Sequence, residues 1–292
     1  MTSSAARPGR RSPVPGRVRC RALFLLIGTA LFGCGAPAAR ATRGEVARAI
    51  EASLAGGQET FDHAAWDRLL AGGTREGLAD YAFMRSRRED LDGYLGRVAA
   101  ARLATLAPDH LKALLINAYN ALTVRSILDH PNVSSIRQIP GVWTVTRHQV
   151  GGFDLTLDDI EHRILRPFFK DPRIHFALNC ASQSCAPLPP WACSGERLEE
   201  QLEERARAFL RDPRNVRVDG GLLRVSRYFD WYGADFTGSG WKGAAATVPE
   251  YIARYAAPEV ARFLEGRRDV PLEFLDYDWN LNRAPPRDPA AR

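Results

Sequence analysis

One long apolar segment constrains this sequence more than any other feature, HLKALLINAYNALTVRSIL at residues 110–128. Pro108 and Asp109 stand just before it. This pair is typical of a helix start, because proline lacks the amide hydrogen that has no partner there and an acid complements the helix dipole. The segment is apolar on nearly every side, so a helix formed by it needs other elements all around it. We therefore predict a central buried helix that begins near Pro108 and ends near His130.

The segments on either side of this helix show both helical and strand periodicity. Apolar residues repeat at three and four positions through residues 44–106, which predicts several helices there. We predict an α+β fold in which the central helix packs on a small, mainly antiparallel sheet, with the N-terminal helices as an accessory layer. The elements predicted after the central helix are a hairpin at 142–155, a helix at 156–166 ended by Pro167, a strand at 174–178, a helix after Ser194, a hairpin at 215–226, a helix at 249–264 and a strand at 272–275.

The N-terminal residues 1–41 have the layout of a secretory signal, with a basic start followed by an uncharged apolar run at 22–32. Two processing sites compete at its end. Ala39-Arg40-Ala41 is an A-x-A site that would release a soluble protein, and Leu31-Phe32-Gly33-Cys34 resembles a lipobox that would make Cys34 the acylated first residue. We expect an exported protein, either periplasmic or an outer-membrane lipoprotein, that touches a membrane only through an anchor at Cys34.

Net charge argues against a nucleic-acid partner. The chain carries +6, but residues 1–41 hold seven arginines and no acid, which leaves about −1 for the remainder. The basic excess therefore belongs to the signal and not to a binding surface. No linker interrupts the rest, so we expect an accessory helical region at 44–106, a larger domain at 107–282 and a disordered tail at 283–292.

Three cysteines lie in one short stretch, IHFALNCASQSCAPLPPWAC, which we call the cysteine segment (residues 174–193). In an oxidising compartment the default for Cys180, Cys185 and Cys193 is a disulfide, and the four-residue gap between the first two closes if the chain turns back. Three thiols leave at least one unpaired. A zinc site made of His175, Cys180 and Cys185 lacks a fourth ligand other than Cys193, so it ranks below the disulfide. We predict no metal and no cofactor.

The same segment also fits a nucleophile beside its base. Either Cys185 or Cys180 would be the nucleophile, with His175 as the base. Asp235 and Asp278 each interrupt an apolar neighbourhood, where a carboxylate could orient the imidazole of His175. The alternative for His175 is a core histidine bonded to a carbonyl group.

Polar and aromatic residues elsewhere have two interpretations. Asn117 and Asn120 share one face of the central helix, where a buried amide needs hydrogen-bond partners. These amides either tie the helix to loop backbone or face the cysteine segment and orient a substrate. The aromatic residues at 228–236 and 277–279 are either core or pocket. The residues predicted to bind substrate are Asn117, Tyr119, Asn120, Asn179, Trp231 and Asp235.

Five motifs in this order resemble the domain of unknown function 547 family: INAYNAL, LTLDDIEHRILR, DPRIHFALNCASQSCAPL, WYGADF and FLDYDWNLN. The resemblance covers about 111–282 and implies an exported bacterial type, but no activity. The chain departs from the family pattern at Ala181, which replaces a glycine, and at Ala186. A looser likeness is to the papain and transglutaminase class, where a thiol on a central helix faces a strand histidine. Here Asn117 or Asn120 stands where that class has its cysteine.

Two functions of different class remain open at this point. The first is a non-catalytic envelope binding or scaffold module, in which Cys180 and Cys185 are joined by a disulfide and the partner is an envelope protein or a small peptide-like ligand. The second is a thiol-dependent hydrolase or acyltransferase that acts on amide or peptide-like substrates with Cys185 or Cys180 and His175.

Overall fold

The computed structural model describes residues 42–267 and 270–286. The predicted signal, both processing sites, Cys34 and residues 287–292 of the predicted tail lie outside this part of the chain. The described residues form helices and small, mainly antiparallel sheets, which confirms the predicted α+β class. No helix among them is both long enough and apolar enough to cross a bilayer.

Most of the described chain is helical. Besides the α-helices there are short 3-10 helices at Leu103–Thr105, Ile136–Gln138, Pro172–Phe176 and Gly195–Arg197, and a π-helix at Asp159–Phe169. The α-helices are α1 (Arg43–Gly56), α2 (Ala64–Gly73), α3 (Tyr81–Ser86), α4 (Arg88–Ala99), α5 (Pro108–Asp129), α6 (Leu198–Arg211), α7 (Tyr228–Trp231), α8 (Gly233–Thr237), α9 (Val248–Ala253) and α10 (Pro258–Leu264).

The strands form three small sheets. The first pairs β1 (Thr74–Arg75) with β2 (Leu78–Ala79), and the second pairs β3 (His148–Val150) with β4 (Phe153–Leu155). The third sheet has the order β5 (Val216–Asp219), β6 (Leu222–Val225) and β7 (Leu272–Phe274). Strands β5 and β6 are antiparallel, whereas β7 runs parallel to β6 because it returns after α7 to α10.

The central helix is α5, and its predicted course is confirmed. Every residue from His110 to Val124 is buried, as the apolar pattern requires. Helices α1, α3 and α4 and the π-helix pack against it, so α5 has little freedom to shift. It is the fixed element against which the rest of the chain is placed.

Two hydrophobic clusters meet at the cysteine segment. The first surrounds α5 and includes Leu178, Ala181 and Cys193, and the second surrounds α6 and the third sheet and includes Cys185 and Ala186. The segment therefore crosses repeatedly between two packed cores. Because both cores hold it, its thiols occupy defined positions although it contains no strand or long helix.

The predicted strand at 174–178 is wrong. Residues Pro172–Phe176 form a 3-10 helix, in which the Asp171 carboxylate accepts a hydrogen bond from the amide of Arg173. A short buried apolar run has no periodicity that separates strand from helix. The capping aspartate and the proline directly after it were the signals for a helical turn.

Two helix predictions also need correction. Thr156 and Asp159 form reciprocal hydrogen bonds of 3.0 Å at the predicted start of this helical segment, but Pro167, the predicted end, lies inside the π-helix. In a π-helix the backbone bonds reach five residues back, so a proline removes one bond without ending the helix. The predicted helix at 249–264 is two helices, α9 and α10, because Pro258 begins a new helix.

The remaining differences are at chain turns. The first predicted hairpin is confirmed only at 148–155, since the preceding residues turn back on Gly141, whose carbonyl accepts from the amides of Val145 and Thr146. At the other end, the amide of Ala284 donates to the carbonyl of Ala79 at 2.9 Å and Ala284 is buried. The packed chain thus extends past the predicted start of the tail.

A buried ion network fixes the residues just ahead of His175. The Asp171 carboxylate accepts from Lys112 Nζ at 2.6 Å and from Arg173 Nη2 at 2.8 Å. Burial raises the pKa of Asp171, but the hydrogen bonds from Arg173 and Lys112 outweigh it and lower this pKa to about 2. Glu199 of α6 completes the network by accepting from Arg173 Nη1 at 2.8 Å. The start of the cysteine segment is therefore tied to α5 on one side and to α6 on the other.

Candidate functional site

The amides of α5 hold the backbone of the cysteine segment at two points. Asn120 donates to the carbonyl of Ala177 at 2.9 Å and accepts from the amide of Asn179 at 2.8 Å. Asn117 donates to the carbonyl of Cys193 at 2.7 Å and accepts from its amide at 3.0 Å. Both buried side chains are thereby satisfied, and neither lines the cavity described below.

The side chain of Asn179 also bonds backbone groups, in this case within the cysteine segment itself. It donates to the carbonyl of Ala186 at 2.7 Å and accepts from the amide of Ala181 at 3.0 Å. Ala181 has φ of 61°, in the left-handed region where glycine is favoured. These bonds therefore hold a turn that alanine disfavours, and they close the loop that brings Cys180 next to Cys185.

The structure contains no disulfide among the three cysteines that it describes. Cys180, Cys185 and Cys193 are all free thiols, although the sequence allowed a bridge. Burial raises the pKa of Cys193 to about 12, which makes it an inert core residue. Within residues 42–267 and 270–286, no three His, Cys, Asp or Glu side chains come together as a metal site.

Cys180 and Cys185 have opposite environments. Cys185 is buried, and its sulfur accepts from the amide of Cys180 at 2.7 Å and from the hydroxyl of Tyr228 at 3.1 Å. Cys180 is partly exposed, with its sulfur 3.2 Å from both the Ser182 Oγ and the Tyr277 Oη. The hydrogen bond from the Cys185 side chain lowers the pKa of Cys180 to about 7 against the effect of burial, and the two hydroxyls add to this.

Burial has the opposite outcome for the partner thiol. It raises the pKa of Cys185 well above that of a free thiol, and the neighbouring Cys180 sulfur adds to the shift. Of the pair, Cys180 is therefore the thiol that loses its proton first. Of the two predicted nucleophiles, Cys180 has both the exposure and the charge state that a nucleophile needs.

His175 is held by a carboxylate, as the sequence predicted for Asp235. Its Nε2 lies 2.8 Å from the Asp235 Oδ2, and Arg166 binds the same carboxylate through two bonds of 2.6 and 2.8 Å. Burial raises the pKa of Asp235, but the bonds from His175 and Arg166 lower it overall, so the carboxylate is ionised. The ring also stacks on Tyr232 with centroids 4.0 Å apart. The other predicted candidate, Asp278, is exposed and accepts from its own turn instead.

The second ring nitrogen of His175, Nδ1, has no hydrogen-bond partner among the described residues. Because an ionised carboxylate accepts at Nε2, that nitrogen carries a proton, and Nδ1 is the nitrogen left to exchange a proton with a ligand. Nδ1 lies 3.8 Å from the Glu161 Oε1, beyond hydrogen-bond distance. Among the described contacts no hydrogen bond joins His175 to the sulfur of Cys180 or Cys185. The predicted direct thiol–imidazole pair is therefore replaced by two groups that face one cavity separately.

That cavity has a volume of about 250 Å³ and contains Cys180, Cys185 and His175 in its wall. We call it the aromatic cavity, because seven aromatic side chains line it. Trp231, a predicted binding residue, stands at its mouth with 43% of its surface exposed, and Tyr119 of α5 also contributes. The seven are Tyr119, Trp143, Tyr228, Trp231, Tyr232, Tyr277 and Trp279.

Sequence reasoning missed Glu161 and Arg166 as parts of this site. Glu161 and Arg166 are five residues apart, a spacing that places them on different faces of an α-helix. In the π-helix that the chain forms, bonds span five residues and both side chains flank Tyr232. The signal that could have found them was the polar cluster in LTLDDIEHRILR, which is too charged for a purely structural helix.

Comparison with known proteins gives one match. Residues 103–210 fit the family described as "Protein of unknown function, DUF547", which supports the resemblance seen in the motifs. The matched region contains α5, the π-helix and the whole cysteine segment, whereas Asp235 and Tyr277 lie beyond it. No curated protein and no solved structure matches the chain.

The environment of Cys180 predicts its reactivity. Iodoacetamide should alkylate Cys180 at a rate that rises through about pH 7, not through the ~8.5 of a free thiol, because the thiolate fraction grows as pH passes the pKa. Cys185 and Cys193 should stay unmodified in the folded protein. Alkylation rates against pH, with each site assigned by mass spectrometry, check this.

A matched pair of variants isolates the cause. Tyr277→Phe removes a hydroxyl next to the sulfur, so its rate profile should move to higher pH. Tyr255→Phe removes a hydroxyl that bonds Glu203 instead, so its profile should not move. An identical profile in all three proteins would show that the hydroxyl does not stabilise the thiolate.

Proposed function

We propose that this protein is a thiol-dependent acyl-transfer enzyme, a hydrolase or acyltransferase, whose nucleophile is Cys180. The observation that supports this best is the placement of two activated groups in one cavity. A partly exposed, low-pKa thiol and an imidazole oriented by a buried carboxylate both line the aromatic cavity. Perturbed ionisable groups that converge on a concave pocket are typical of catalytic sites.

In the proposed first step, the thiolate of Cys180 attacks the carbonyl carbon of an ester, amide or peptide-like substrate. A sulfur–carbon bond forms, the bond to the leaving group breaks, and an acyl-enzyme thioester results. In this step His175 is the imidazolium, and the leaving group departs with the proton of its Nδ1, which leaves the ring neutral. Water or an acceptor then attacks the thioester, gives a proton to Nδ1 and releases the thiolate of Cys180, so both groups return to their starting state.

We assign His175 to the leaving group and the acceptor, not to activation of the thiol. Cys180 is already stabilised as a thiolate by Cys185, Ser182 and Tyr277, and no hydrogen bond connects it to the imidazole. Asp235 fixes the ring and accepts the hydrogen bond of its Nε2, as the acid does in other nucleophile–histidine–carboxylate sets. Arg166 in turn fixes Asp235 through two bonds.

The non-catalytic binding or scaffold module is the weaker candidate. It was favoured by a Cys180–Cys185 disulfide and by amides that line a groove. The structure has these two thiols free, and the predicted amides bond backbone. What remains in its favour is the aromatic cavity itself, which a binding protein would also need.

For the location we propose export to the cell envelope, with an anchor at Cys34 or cleavage after Ala41. The basic start and the apolar run of residues 1–41 support this. Intact-mass analysis of the mature chain tests it: a diacylated or triacylated N-terminal Cys34 indicates the anchor, and a chain that starts at Thr42 indicates release. A mature protein that retains residues 1–33 would contradict export.

The catalytic proposal predicts a covalent adduct. Mixed with p-nitrophenyl acetate, the wild-type protein should acquire one acetyl group on Cys180, detected by mass spectrometry, with release of p-nitrophenol. His175→Ala and Asp235→Asn should lower the turnover of the acyl-enzyme by about 10²-fold or more, the usual contribution of general acid–base catalysis. Cys180→Ser should abolish the adduct.

Two controls make this specific. Cys193→Ser removes a thiol outside the cavity, and His130→Ala removes an exposed histidine at the far end of α5; both should leave turnover unchanged. Alkylation of Cys180 should remain fast in His175→Ala, because the imidazole does not contact the sulfur. Absence of an acetyl adduct on Cys180, or equal turnover in wild type and His175→Ala, would overturn the proposal.

A further inference from the structure

The charged residues of the aromatic cavity have one sign. Asp158 and Glu161 both line it, whereas no lysine or arginine does among the described residues. The nearest arginines on the same helix are committed elsewhere: Arg163 pairs with Asp159 at 2.8 Å and Arg166 with Asp235. Two carboxylates thus face the cavity without a permanent cation of the chain between them.

Two histidines of the described wall can carry a positive charge, and neither pairs closely with these acids. The buried His175 has its Nδ1 3.8 Å from the Glu161 Oε1. His162 has its Nε2 3.9 Å from the Asp158 Oδ1 and its Nδ1 4.0 Å from the Glu161 Oε1. This imidazole is exposed, so solvent screens what charge it has. Burial raises the pKa of Asp158, and the nearby Glu161 adds to this shift while His162 opposes it. A bound cation would relieve the cost that these two acids impose on each other.

Aromatic faces form the rest of the wall. Trp231 stacks with Trp279 at 5.9 Å between centroids, and Trp143 meets Trp279 edge to face at 6.2 Å. Indole rings attract cations through their negative faces more strongly than the rings of tyrosine and phenylalanine do. One of these rings already does so, since the guanidinium of Arg137 lies 5.2 Å from the centroid of Trp279.

We infer that the substrate of the proposed reaction carries a cationic alkylammonium group, which the tryptophans of the aromatic cavity enclose and Asp158 and Glu161 neutralise. The inference rests on the proposed function for the acyl-transfer step, whereas the binding of the ammonium group does not depend on it. An anionic substrate is disfavoured because it would meet two carboxylates in a space of about 250 Å³. A purely apolar one would take water away from those carboxylates and supply no positive charge in return. The ammonium group belongs to the acyl donor or to the acceptor amine.

The test compares a cation with its neutral isostere. Choline and 3,3-dimethylbutan-1-ol have the same shape and differ in the charge of one atom. Each is titrated into Cys180→Ser protein at constant ionic strength, with tryptophan fluorescence as the signal, so that no thiol chemistry intervenes. Choline should bind at least about tenfold more tightly than the alcohol, as expected for a partly desolvated cation among aromatic rings.

Variants identify the carboxylates. Asp158→Asn should lower the choline preference several-fold, and Asp158→Asn combined with Glu161→Gln should remove it while the affinity for the alcohol stays the same. Asp90→Asn on α4, which removes an exposed acid paired with Arg87 at 3.7 Å, should keep the full preference. Thermal unfolding of each variant verifies that it is folded. If the double variant does not fold, Asp158→Asn alone tests the inference, because Asp158 is partly exposed.

Equal affinity for the two probes, or an equal loss in Asp90→Asn, would overturn the inference. Failure of choline to bind would do the same. These outcomes are separate from those of the acetyl-adduct experiment. An adduct on Cys180 without choline preference supports the acyl-transfer proposal and contradicts the cation inference. Choline preference without an adduct supports binding of the cation and contradicts acyl transfer.

Discussion

The site depends on the pairing of buried amides on α5 with the backbone of the cysteine segment. Asn117 and Asn120 lie in a helix with no other use for their polar atoms, and a buried amide without partners costs free energy. The segment has backbone groups that neither a sheet nor a long helix satisfies. The two amides and the backbone of the cysteine segment satisfy each other through four hydrogen bonds of 2.7 to 3.0 Å. The position of Cys180 follows from this exchange.

The other parts of the site come from separate elements that the same core fixes. His175 is carried by the 3-10 helix that opens the cysteine segment, Glu161 and Arg166 by the π-helix, and Asp235 by α8. The first hydrophobic cluster supports the π-helix, and the second supports α8. Packing of this kind holds reactive groups at set distances before a substrate arrives, which is what catalysis by preorganised groups requires.

The sequence predicted the elements with strong periodicity and missed those whose geometry depends on contacts. The buried helix α5 could be predicted from its apolar pattern, and the hairpin around Gly220 and Gly221 from its alternating strands and its turn residues. The π-helix could not be predicted, since the same residues fit an α-helix. For this reason Glu161 and Arg166 were not recognised as parts of the site. For the acid beside His175 the sequence left Asp235 and Asp278 as candidates, because each interrupts an apolar stretch, and only the structure selects Asp235. The opposite environments of Cys180 and Cys185 could not be predicted, because they depend on Tyr228 and Tyr277, which are distant in sequence.

The account stands on a reduced Cys180 in the native protein, and a thiol count tests this most directly. Protein purified without reductant, quenched in acid, unfolded and alkylated should have all three cysteines of residues 42–286 modified, Cys180, Cys185 and Cys193, by mass spectrometry. A chain with only Cys193 modified, and with Cys180 and Cys185 recovered as one cross-linked peptide, would contradict the nucleophile and restore the disulfide-linked binding module.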